Sequence, residues 1–494
     1  MPDSGPRRGQ LRLRRAVLVL SAFVILISLN CRRRDVPDIP AIPSGTPVGF
    51  VGGVSIVSTS VGSPDVDTCA VRFDWGDGDT SEWSRWIRLG DTITYGHQWA
   101  ATGTYQVRAQ AMSGTGGVSA WSDGHQVVVH GAKARSYGRG ESDDALSAAL
   151  TADGGVITAG LTYSQSFSSW NVWLVRTNGA GDSLWTRTYG GNADDVGGSV
   201  AQTSDGGFVL AGWTEVSQQS SGDLLLMRMD AVGDTLWTRR IGGPRSENGS
   251  SIQQTQDGGF IVAGTTRSTS DQKGDLWLVR TDMNGETLWT RTFGTAAGED
   301  GNSVRQTTDG GFVVAGIAWS WDGMKSSALL VRTDADGNEL WTRTYGGGYR
   351  DGASAVRQTP GGGYVIVGTT EASQLVSADL LLIKTDASGN VEWQKALGRP
   401  GWQHGHSIEA TSDGGYIVAG YANPFTGSHD GAWLAKVDAA GDITWDAVFG
   451  GPGFADGVAA FEAPGGGYLM AGSHYPDTTN VSNVWVIKTD AVGR

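Results

Sequence analysis

The sequence predicts an all-β protein in which a seven-bladed β-propeller follows a smaller β-sandwich. Three observations lead to this prediction. A glycine-rich stretch typified by "TSDGGFVLAG" returns seven times at a constant interval of 52 residues. Each interval contains four short strand patterns separated by turn residues. The strand that the last interval lacks is found ahead of the first. A period near 50 residues with four strands per unit is typical of propeller blades.

The interval is kept without insertion or deletion through the array. A basic residue, an Asp or Asn, a glycine and a tryptophan follow the stretch at fixed distances, for example Arg228, Asp230, Gly233 and Trp237. Such strict spacing indicates one structural unit copied along the chain. The second glycine of the doublet stands at Gly155, Gly207, Gly259, Gly311, Gly363, Gly415 and Gly467.

Residues 303–346 illustrate the four predicted strands of a repeat, which we label a to d. Strand a is "SVRQT", strand b is "GFVVAG", strand c is "ALLVRT" and strand d is "LWTRTYG". The a–b link is an Asp-Gly-Gly turn, and the c–d link is Asp-x-x-Gly. Both links place glycine where a positive φ is expected, which other residues adopt only at a cost.

The two ends of the array complement each other. The last repeat stops after strand c at "VWVIKTDAVGR", and "AKARSYGRGESDD" aligns with "LWTRTYGGNADD" of the first repeat at an offset of 52. Tyr137 then corresponds to Tyr189. We therefore expect Lys133–Gly138 to pair with Val484–Lys488 and to close the ring, which removes a free sheet edge.

Residues 1–31 are predicted to be a targeting segment. Five arginines precede the apolar run Ala16–Leu29, whose 14 residues fall short of the ~20 that a membrane-spanning helix needs. A basic region followed by a short apolar region is the pattern of a secretory signal. Cys31 follows directly, and the arrangement resembles a bacterial lipoprotein signal, which implies acylation of Cys31 and a lipid anchor. An uncleaved signal anchor and simple secretion are the alternatives.

Residues 32–45 are proline-rich and are predicted to be an extended linker. Residues 46–131 change to alternating strand patterns, as at Val71, Phe73 and Trp75. The turn "WGDG" at 75–78 and the segment "HQW" at 97–99 resemble PKD-type domains. That resemblance implies an immunoglobulin-like β-sandwich that serves as a spacer or adhesive module. The propeller is then assigned to residues 132–494.

Composition narrows the classes of function. The formal net charge of −14, without a basic stripe in the repeats, argues against nucleic-acid binding. Such binding depends on Lys and Arg displacing counterions from phosphates. The chain has 2 cysteines, Cys31 and Cys69, so an acylated Cys31 leaves no disulfide within the mature chain. A cysteine-based metal site or a thiol nucleophile with a partner cysteine is thereby excluded.

Ligand binding is predicted on the face formed by the b–c and d–a loops, because variable loops on a rigid scaffold usually carry recognition. Aromatic rings among hydroxyls and carboxylates suit sugars or peptide strands, since a ring supplies apolar area while its polar edge stays wet. The alternative is that these loops are solvated and only cap the ring. The candidate aromatic residues are Trp170, Trp213, Trp319, Trp321, Tyr421 and Tyr475. The candidate acids are Asp195, Glu299 and Asp351.

Two groups of residues have a chemistry that suits metals. An acidic turn offers oxygen ligands to Ca²⁺, although Asp that merely forms a turn is the favoured interpretation. It consists of Asp74, Asp77 and Asp79. His404 and His406 supply two imidazoles with no marked third ligand, so no metal site is assigned to them. Calcium is the single cofactor hypothesis, and no other cofactor is expected.

Residues 133–494 look like the bacterial seven-bladed propeller-repeat families of secreted proteins and lipoproteins. The segment that ends in Trp289 resembles the tryptophan-docking motif of quinoprotein propellers, and we expect this indole to pack between blades. The leading hypothesis is a non-enzymatic, surface-displayed binding or scaffold protein that recognises a protein or a polysaccharide. It would lie outside the cytoplasm, anchored by lipid or secreted. A glycosidase-like or lyase-like enzyme with acidic loop residues is the alternative. An envelope assembly scaffold that works by strand addition is a third hypothesis.

Overall fold

The computed structural model describes residues 36–45, 48–50, 54–62, 68–88, 90–99, 101–130, 133–215, 222–269, 273–371, 378–398, 401–423, 431–450, 453–476 and 481–493. The predicted targeting segment with Cys31 lies outside these residues. The described residues form strands, bends and turns, and none of their segments is a helix that could cross a membrane. The chain divides into two compact units. One comprises Met1–Pro47, Ile56–Tyr95 and Gly103–Val128, and the other comprises Val48–Ser55, Gly96–Thr102 and Val129–Arg494.

The strands between residues 44 and 130 form two sheets. One sheet has the order β1-β3-β6 and the other has the order β2-β8-β7-β4-β5. The side chains of Val71, Phe73 and Trp75 are buried, as the alternation in the sequence predicts, and Cys69 and Ala70 at the start of β4 are buried as well. These strands are β1 Ser44–Gly45, β2 Val48–Phe50, β3 Val54–Ser60, β4 Thr68–Asp74, β5 Ile87–Arg88, β6 Thr92–Gln98, β7 Gly103–Ser113 and β8 His125–His130.

The strands of the repeats form four-stranded antiparallel units in chain order, as expected for a propeller. The first three units are β10 Asp143–Leu150, β11 Val156–Ser164, β12 Ser169–Thr177 and β13 Ser183–Tyr189; β14 Asp195–Gln202, β15 Phe208–Thr214, β16 Asp223–Met229 and β17 Thr235–Ile241; and β18 Glu247–Gln254, β19 Phe260–Thr266, β20 Asp275–Thr281 and β21 Thr287–Phe293.

The next two units are joined into one sheet by a single parallel pairing of Ser326 with Arg350. They are β22 Glu299–Gln306, β23 Phe312–Trp319, β24 Ser326–Thr333 and β25 Glu339–Tyr345, and β26 Arg350–Gln358, β27 Tyr364–Glu371, β28 Ala378–Thr385 and β29 Val391–Leu397. Another sheet is β30 Trp402–Ala410, β31 Tyr416–Asn423, β32 Gly431–Val437 and β33 Ile443–Phe449. The final sheet contains β34 Gly453–Glu462, β35 Tyr468–Pro476, β36 Asn483–Thr489 and the earlier strand β9 Lys133–Tyr137.

The turn at residues 203–207 explains why the Asp-Gly-Gly stretch recurs. The hydroxyl of Thr203 donates to Asp205, whose carboxylate also accepts the amide N–H of Gly207. Gly206 has a φ of +85°, a conformation that costs other residues about 1–2 kcal/mol. A Cβ at Gly207 would lie 2.5 Å from the carbonyl oxygen of Met229 on strand c. One glycine therefore makes the turn, and the other lets two strands approach closely.

A buried basic residue on strand c holds the same turn. Arg228 Nη2 lies 2.6 Å from Asp205 Oδ1, and Arg228 Nη1 donates to the carbonyl oxygen of Phe208 at 3.0 Å. The in-phase basic residues and the Asp-Gly-Gly turns are therefore two halves of one structural contact. The same pairing occurs in Arg176–Asp153, Arg280–Asp257, Arg332–Asp309 and Lys436–Asp413.

Neighbouring units pack through apolar side chains and a repeated serine contact. Leu174 of the first unit shares a core with Phe208 of the second, and the indole of Trp185 meets the ring of Phe208 edge-on at 5.7 Å. The indole therefore has the packing position expected for the strand-d tryptophans. On the innermost strands, the hydroxyl of Ser199 accepts the amide N–H of Ile252 on the next unit at 3.1 Å. The equivalents of Ser199 are serine in five units and alanine at Ala355 and Ala459, so apolar burial and this hydrogen bond act together at the junctions that follow the five serines.

The first and last units are joined by β9. This strand pairs antiparallel with β36, from Lys133 opposite Lys488 to Tyr137 opposite Val484. The pairing that the repeat offset predicts is therefore present. The array returns to its own beginning, because the first and last units also share an apolar core. That core contains Val156, Ala463, Leu469, Ala471 and Val486.

Candidate functional site

The innermost strands of the repeats line a central cavity of about 720 Å³. These strands are β10, β14, β18, β22, β26, β30 and β34. Small polar residues such as Ser250 and Ser354 make up much of the lining, with Leu146 and Phe461 among its apolar members. Pockets for small ligands commonly measure about 300–1,000 Å³. The cavity therefore has the volume of a ligand pocket, and its wall combines polar and apolar residues.

Three charged side chains meet on one side of the central cavity, where Arg305 of β22, Arg357 of β26 and Glu409 of β30 are adjacent. Arg357 Nε donates to Glu409 Oε2 at 2.8 Å, and Arg357 Nη2 donates to Glu409 Oε1. Burial raises the pKa of Glu409, but Arg357 and then Arg305 outweigh it, so the pKa of Glu409 is lowered. The carboxylate is charged at neutral pH.

A row of rings lies on the first residues of the inner strands β30 and β34 and on the ends of β31 and β35. Two cross-strand pairs supply it, because His404 stands opposite Tyr421 and Phe454 stands opposite Tyr475. The rings of His404 and Tyr421 stack at 4.6 Å, and those of Phe454 and Tyr475 meet edge-on at 5.4 Å. Tyr421 and Phe454 join the two pairs at 6.1 Å, and Trp402 stacks beyond His404 at 6.5 Å. We call these five residues the rim cluster.

Two histidines and an aspartate set the charge of the rim cluster. His404 Nδ1 lies 3.0 Å from the hydroxyl of Thr369, and its buried Nε2 has no hydrogen-bond partner among the described residues. Burial, followed by the nearby His406, lowers the pKa of His404 to about 4, so this ring is neutral at pH 7. His406 Nδ1 lies 3.4 Å from Asp456 Oδ1, and burial raises the pKa of that carboxyl group.

Tyr475 connects the rim cluster to the first unit of the array. Its hydroxyl donates to Asp144 on β10. Burial and this contact with Asp144 raise the pKa of the Tyr475 hydroxyl, and Asp456 raises it further. Two carboxylates from the first and last inner strands thus act on one tyrosine. Of the sequence-predicted aromatic residues, Tyr421 and Tyr475 are the two that the structure brings into this cluster.

The other predicted aromatic residues lie on different units. Trp170 is in β12 and meets Tyr163 edge-on at 5.0 Å. Trp213 lines a cavity of about 410 Å³ that adjoins the central cavity, since Leu146, Gly198 and Ser250 line both. Trp319 Nε1 donates to Asp300 Oδ2 at 2.8 Å. Trp321 is 71% exposed, and Lys273 Nζ lies over its ring at 3.7 Å from the centroid. The structure does not assemble these four residues into one site.

The predicted acids hold the turns that enter strand a. Glu299 is buried and accepts the amide N–H of Thr295 at 2.7 Å. Asp351 is also buried, and it accepts the amide N–H groups of Gly347 and Gly348 at 2.9 Å. Asp195 accepts the hydroxyl hydrogen of Thr214, and burial raises its pKa.

The same contact recurs at equivalent positions of other repeats. Arg139 donates to Asp143 and Gly243 donates to Glu247, in each case from the amide four residues earlier. These carboxylates therefore stabilise backbone turns rather than line the central cavity.

The metal hypotheses gain no ligand set from the structure. Asp74 accepts the amide of Gly76 at 3.0 Å, and Asp77 accepts that of Asp79 at 3.1 Å, which is the geometry of Asp turns. His404 and His406 face Thr369 and Asp456, as described above. Within the described ranges, no group of three or more His, Cys, Asp or Glu side chains could hold a metal ion. Cys69 is buried, and burial raises the pKa of its thiol.

Sequence reasoning missed the charged side of the central cavity. Arg305, Arg357 and Glu409 are 52 residues apart in turn, and each lies within an otherwise ordinary strand pattern. A signal was present in the repeat alignment. The equivalent positions of earlier repeats are Ala149, Ala201 and Gln253, so this position changes from apolar to amide to charged side chains along the array.

Comparison with known proteins gives limited sequence similarity. No protein family model matches the chain. The chain is similar to the regulatory protein FlaEY of Caulobacter vibrioides, at 26% identity over 201 residues. The matched segment is 36% of this chain and 21% of that protein, so the chain spans about a fifth of the length of this relative.

Three solved structures resemble parts of the chain. The PKD domain of an M14-like peptidase from a Thermoplasmatales archaeon is 30% identical, covers 19% of this chain and 94% of its own, and has a TM-score of 0.18. The β-propeller domain of the Trilobed protease from Pyrococcus furiosus is 10% identical over 72% of this chain and 95% of its own, with a TM-score of 0.41. Puromycin hydrolase is 15% identical over 71% of this chain and 53% of its own, with a TM-score of 0.44.

Proposed function

We propose that this protein is an extracytoplasmic binding protein built on a seven-bladed β-propeller. The seven in-phase repeats and the pairing of β9 with β36 support this architecture. We further propose the domain boundaries 1–31 for a signal, 32–45 for a linker, 46–131 for an immunoglobulin-like module of the PKD type and 132–494 for the propeller. Acylation of Cys31 would then hold the propeller at a membrane surface.

The rim cluster is the proposed binding surface, and its partner is a protein or a polysaccharide at the cell surface. The observation that carries this proposal is the continuous row of rings from Trp402 to Tyr475. Phe454 is 36% exposed, so part of the row reaches solvent. Aromatic faces flanked by imidazole and carboxylate groups suit sugar rings and extended peptides.

A glycan array and a surface-protein binding screen test this proposal. We expect a ligand whose affinity falls at least tenfold in Phe454→Ala, because this ring is exposed and its removal leaves the core intact. Phe167→Ala is the matched control, since Phe167 is 53% exposed at a hairpin on another unit. Equal loss in both variants, or no ligand in either screen, would contradict the proposal.

A glycosidase-like or lyase-like activity is the second candidate function. Asp144 and Asp456 both act on Tyr475, and burial raises the pKa of Asp456, which favours its protonated form. Acid–base cleavage of glycosides uses two carboxyl groups in different environments. A hydrolysis screen on oligosaccharides decides between the two functions. Turnover that disappears in both Asp144→Asn and Asp456→Asn would replace the binding proposal.

The lipid anchor has a separate test. We expect the wild-type chain in the membrane fraction and the Cys31→Ser variant in the soluble fraction. Cys69→Ser is the control, because this thiol is buried within the N-terminal sheets. Membrane retention of Cys31→Ser would favour a signal anchor. An envelope scaffold that works by strand addition remains the third proposal, and a partner captured by the outer strands would support it.

A further inference from the structure

The units of the ring share one backbone structure, but the charged residues of the central cavity come from three of the seven equivalent positions only. The seven equivalent inner positions are Ala149, Ala201, Gln253, Arg305, Arg357, Glu409 and Phe461. Because every unit presents this position to the same cavity, the structure of a blade does not demand a particular residue here. Two cations on adjacent strands in a confined space are costly unless an anion balances them.

Arg357 has its anion, but Arg305 does not. Both oxygens of Glu409 accept from Arg357. Arg305 Nη1 donates to the carbonyl oxygen of Val304 at 2.7 Å, and no side-chain acceptor of Arg305 occurs among the described residues. Its Nε and Nη2 donate no hydrogen bond to another described residue, and the side chain is part of the cavity lining. One guanidinium is therefore left with open donors.

The local charge can be counted. Enclosure and the Arg357 charge lower the pKa of Arg305, and Glu409 raises it in part. A guanidinium keeps its proton at neutral pH, so the three side chains carry a net charge of about +1. Glu462 is a fourth charged residue of the lining, but among the described residues it forms no ion pair with Arg305 or Arg357, and its oxygens accept hydrogen bonds from the amide and hydroxyl of Ser412 instead.

We propose that the central cavity binds a small carboxylate, held by the free donors of Arg305 beside Arg357. A single carboxylate balances the local charge, and its planar oxygens match the fork of a guanidinium. Ser250, Ser354 and Gln253 of the same wall offer hydrogen bonds to hydroxyl groups. A polyhydroxylated carboxylate of the hexuronic acid class fits both features. This site is distinct from the rim cluster and does not depend on the function proposed for it.

Calorimetric titration of the full chain with glucuronate, glucose and inorganic phosphate tests the proposal. We expect binding of glucuronate, no binding of glucose, and affinity for glucuronate at least tenfold weaker in Arg305→Gln. Arg245→Gln is the matched control, because Arg245 is an exposed arginine outside the cavity lining. Phe454→Ala is expected to leave glucuronate binding unchanged, which separates this site from the rim cluster.

A second variant keeps the test informative if Arg305→Gln does not fold. Glu409→Gln removes the carboxylate that competes for Arg357, so we expect glucuronate to bind at least threefold more tightly to this variant. A purely structural role for the three charges would not produce tighter binding. Phosphate binding without glucuronate binding, equal binding of glucose, or no response to Arg305→Gln and Glu409→Gln would overturn the proposal.

Discussion

At the scale of single residues, the structure gives the repeated polar positions a stabilising role. The strand-c cation pairs with the turn Asp in most repeats. In two repeats glycine replaces the turn Asp, at Gly361 and Gly465, and the strand-c lysine has a different partner. Lys384 pairs with Glu392, and Lys488 donates to the carbonyl oxygen of Gly179. The basic residue and the Asp therefore act as a pair, and the repeats that lose the acid also replace Arg by Lys.

Asp413→Asn tests this pair through pH. The hydroxyl of Thr411, followed by Lys436, lowers the pKa of Asp413 to about 2. A depressed pKa in the folded state contributes stability above the unfolded value of about 3.9, and this contribution is lost as pH falls towards 2. We expect Asp413→Asn to lower the free energy of unfolding at pH 7 by about 1 kcal/mol or less, because the carboxylate is mostly exposed.

Denaturant unfolding at pH 7 and pH 2 measures this effect, and the difference between the variant and the wild type is expected to shrink at pH 2. Asp336→Asn is the control, because Asp336 is exposed and its carboxylate has no ion pair among the described residues. An equal difference at both pH values would refute the assignment of this stability to the ionised pair.

At the scale of the elements, the c–d turn of one unit is shaped to receive the tryptophan of the unit before it. Gly337 has a φ of +78°, and a Cβ there would lie 2.7 Å from Cη2 of Trp289. Gly233 stands in the same relation to Trp185, and Gly285 to Trp237. The glycine of Asp-x-x-Gly therefore serves both the turn and the junction between units.

Gly337→Ala and Gly310→Ala separate these two effects. Both glycines have positive φ, but a Cβ at Gly310 would meet no atom within 4 Å. The conformational cost of about 1–2 kcal/mol applies to both variants. Displacement of the indole adds about 1–3 kcal/mol in Gly337→Ala alone. Thermal unfolding is expected to show the larger loss for Gly337→Ala, and equal losses would contradict a role for the tryptophan contact.

At the scale of the whole array, closure depends on a strand that comes from the opposite end of the chain. The hydroxyl of Tyr137 on β9 donates to the carbonyl oxygen of Gly181, as Tyr345 does to Gly389 within the array. The borrowed strand thus repeats the contacts of an ordinary strand d. Because β9 pairs with β36, the final sheet ends in a fourth strand, as the other units do, and β36 is not left as an unpaired edge.

Arg135→Pro with Ser136→Pro tests closure. The N–H groups of adjacent residues in a strand point to opposite sides, so one of the two prolines removes a ladder hydrogen bond between β9 and β36. We expect this variant to have a lower Tm and faster proteolysis near β36. The same substitutions at Arg187 and Thr188 of β13 are the control, because that strand is continuous with its own unit. A larger loss in the control would contradict the role of β9 in closing the array.

Some residues of the candidate sites were predicted from the sequence, and others were not. Tyr421 and Tyr475 were predicted as loop-face aromatics, and they lie together in the rim cluster. Asp195, Glu299 and Asp351 were predicted beside them, but they accept backbone amides of the turns that precede strand a, from Gly191, Thr295 and Gly347 respectively. The sequence does not show whether a carboxylate at the start of a strand points to solvent or accepts hydrogen bonds from its own backbone, because both arrangements have the same local pattern.

The sequence by itself determined the period, the turns and the borrowed strand, because local backbone preferences and repetition are written in consecutive residues. Only the tertiary structure decided that Arg305, Arg357 and Glu409 share one wall of a cavity. These residues are adjacent in space because the inner strands converge, whereas 52 residues separate each from the next along the chain. Charge balance in an enclosed space depends on such distances, and no local pattern encodes them.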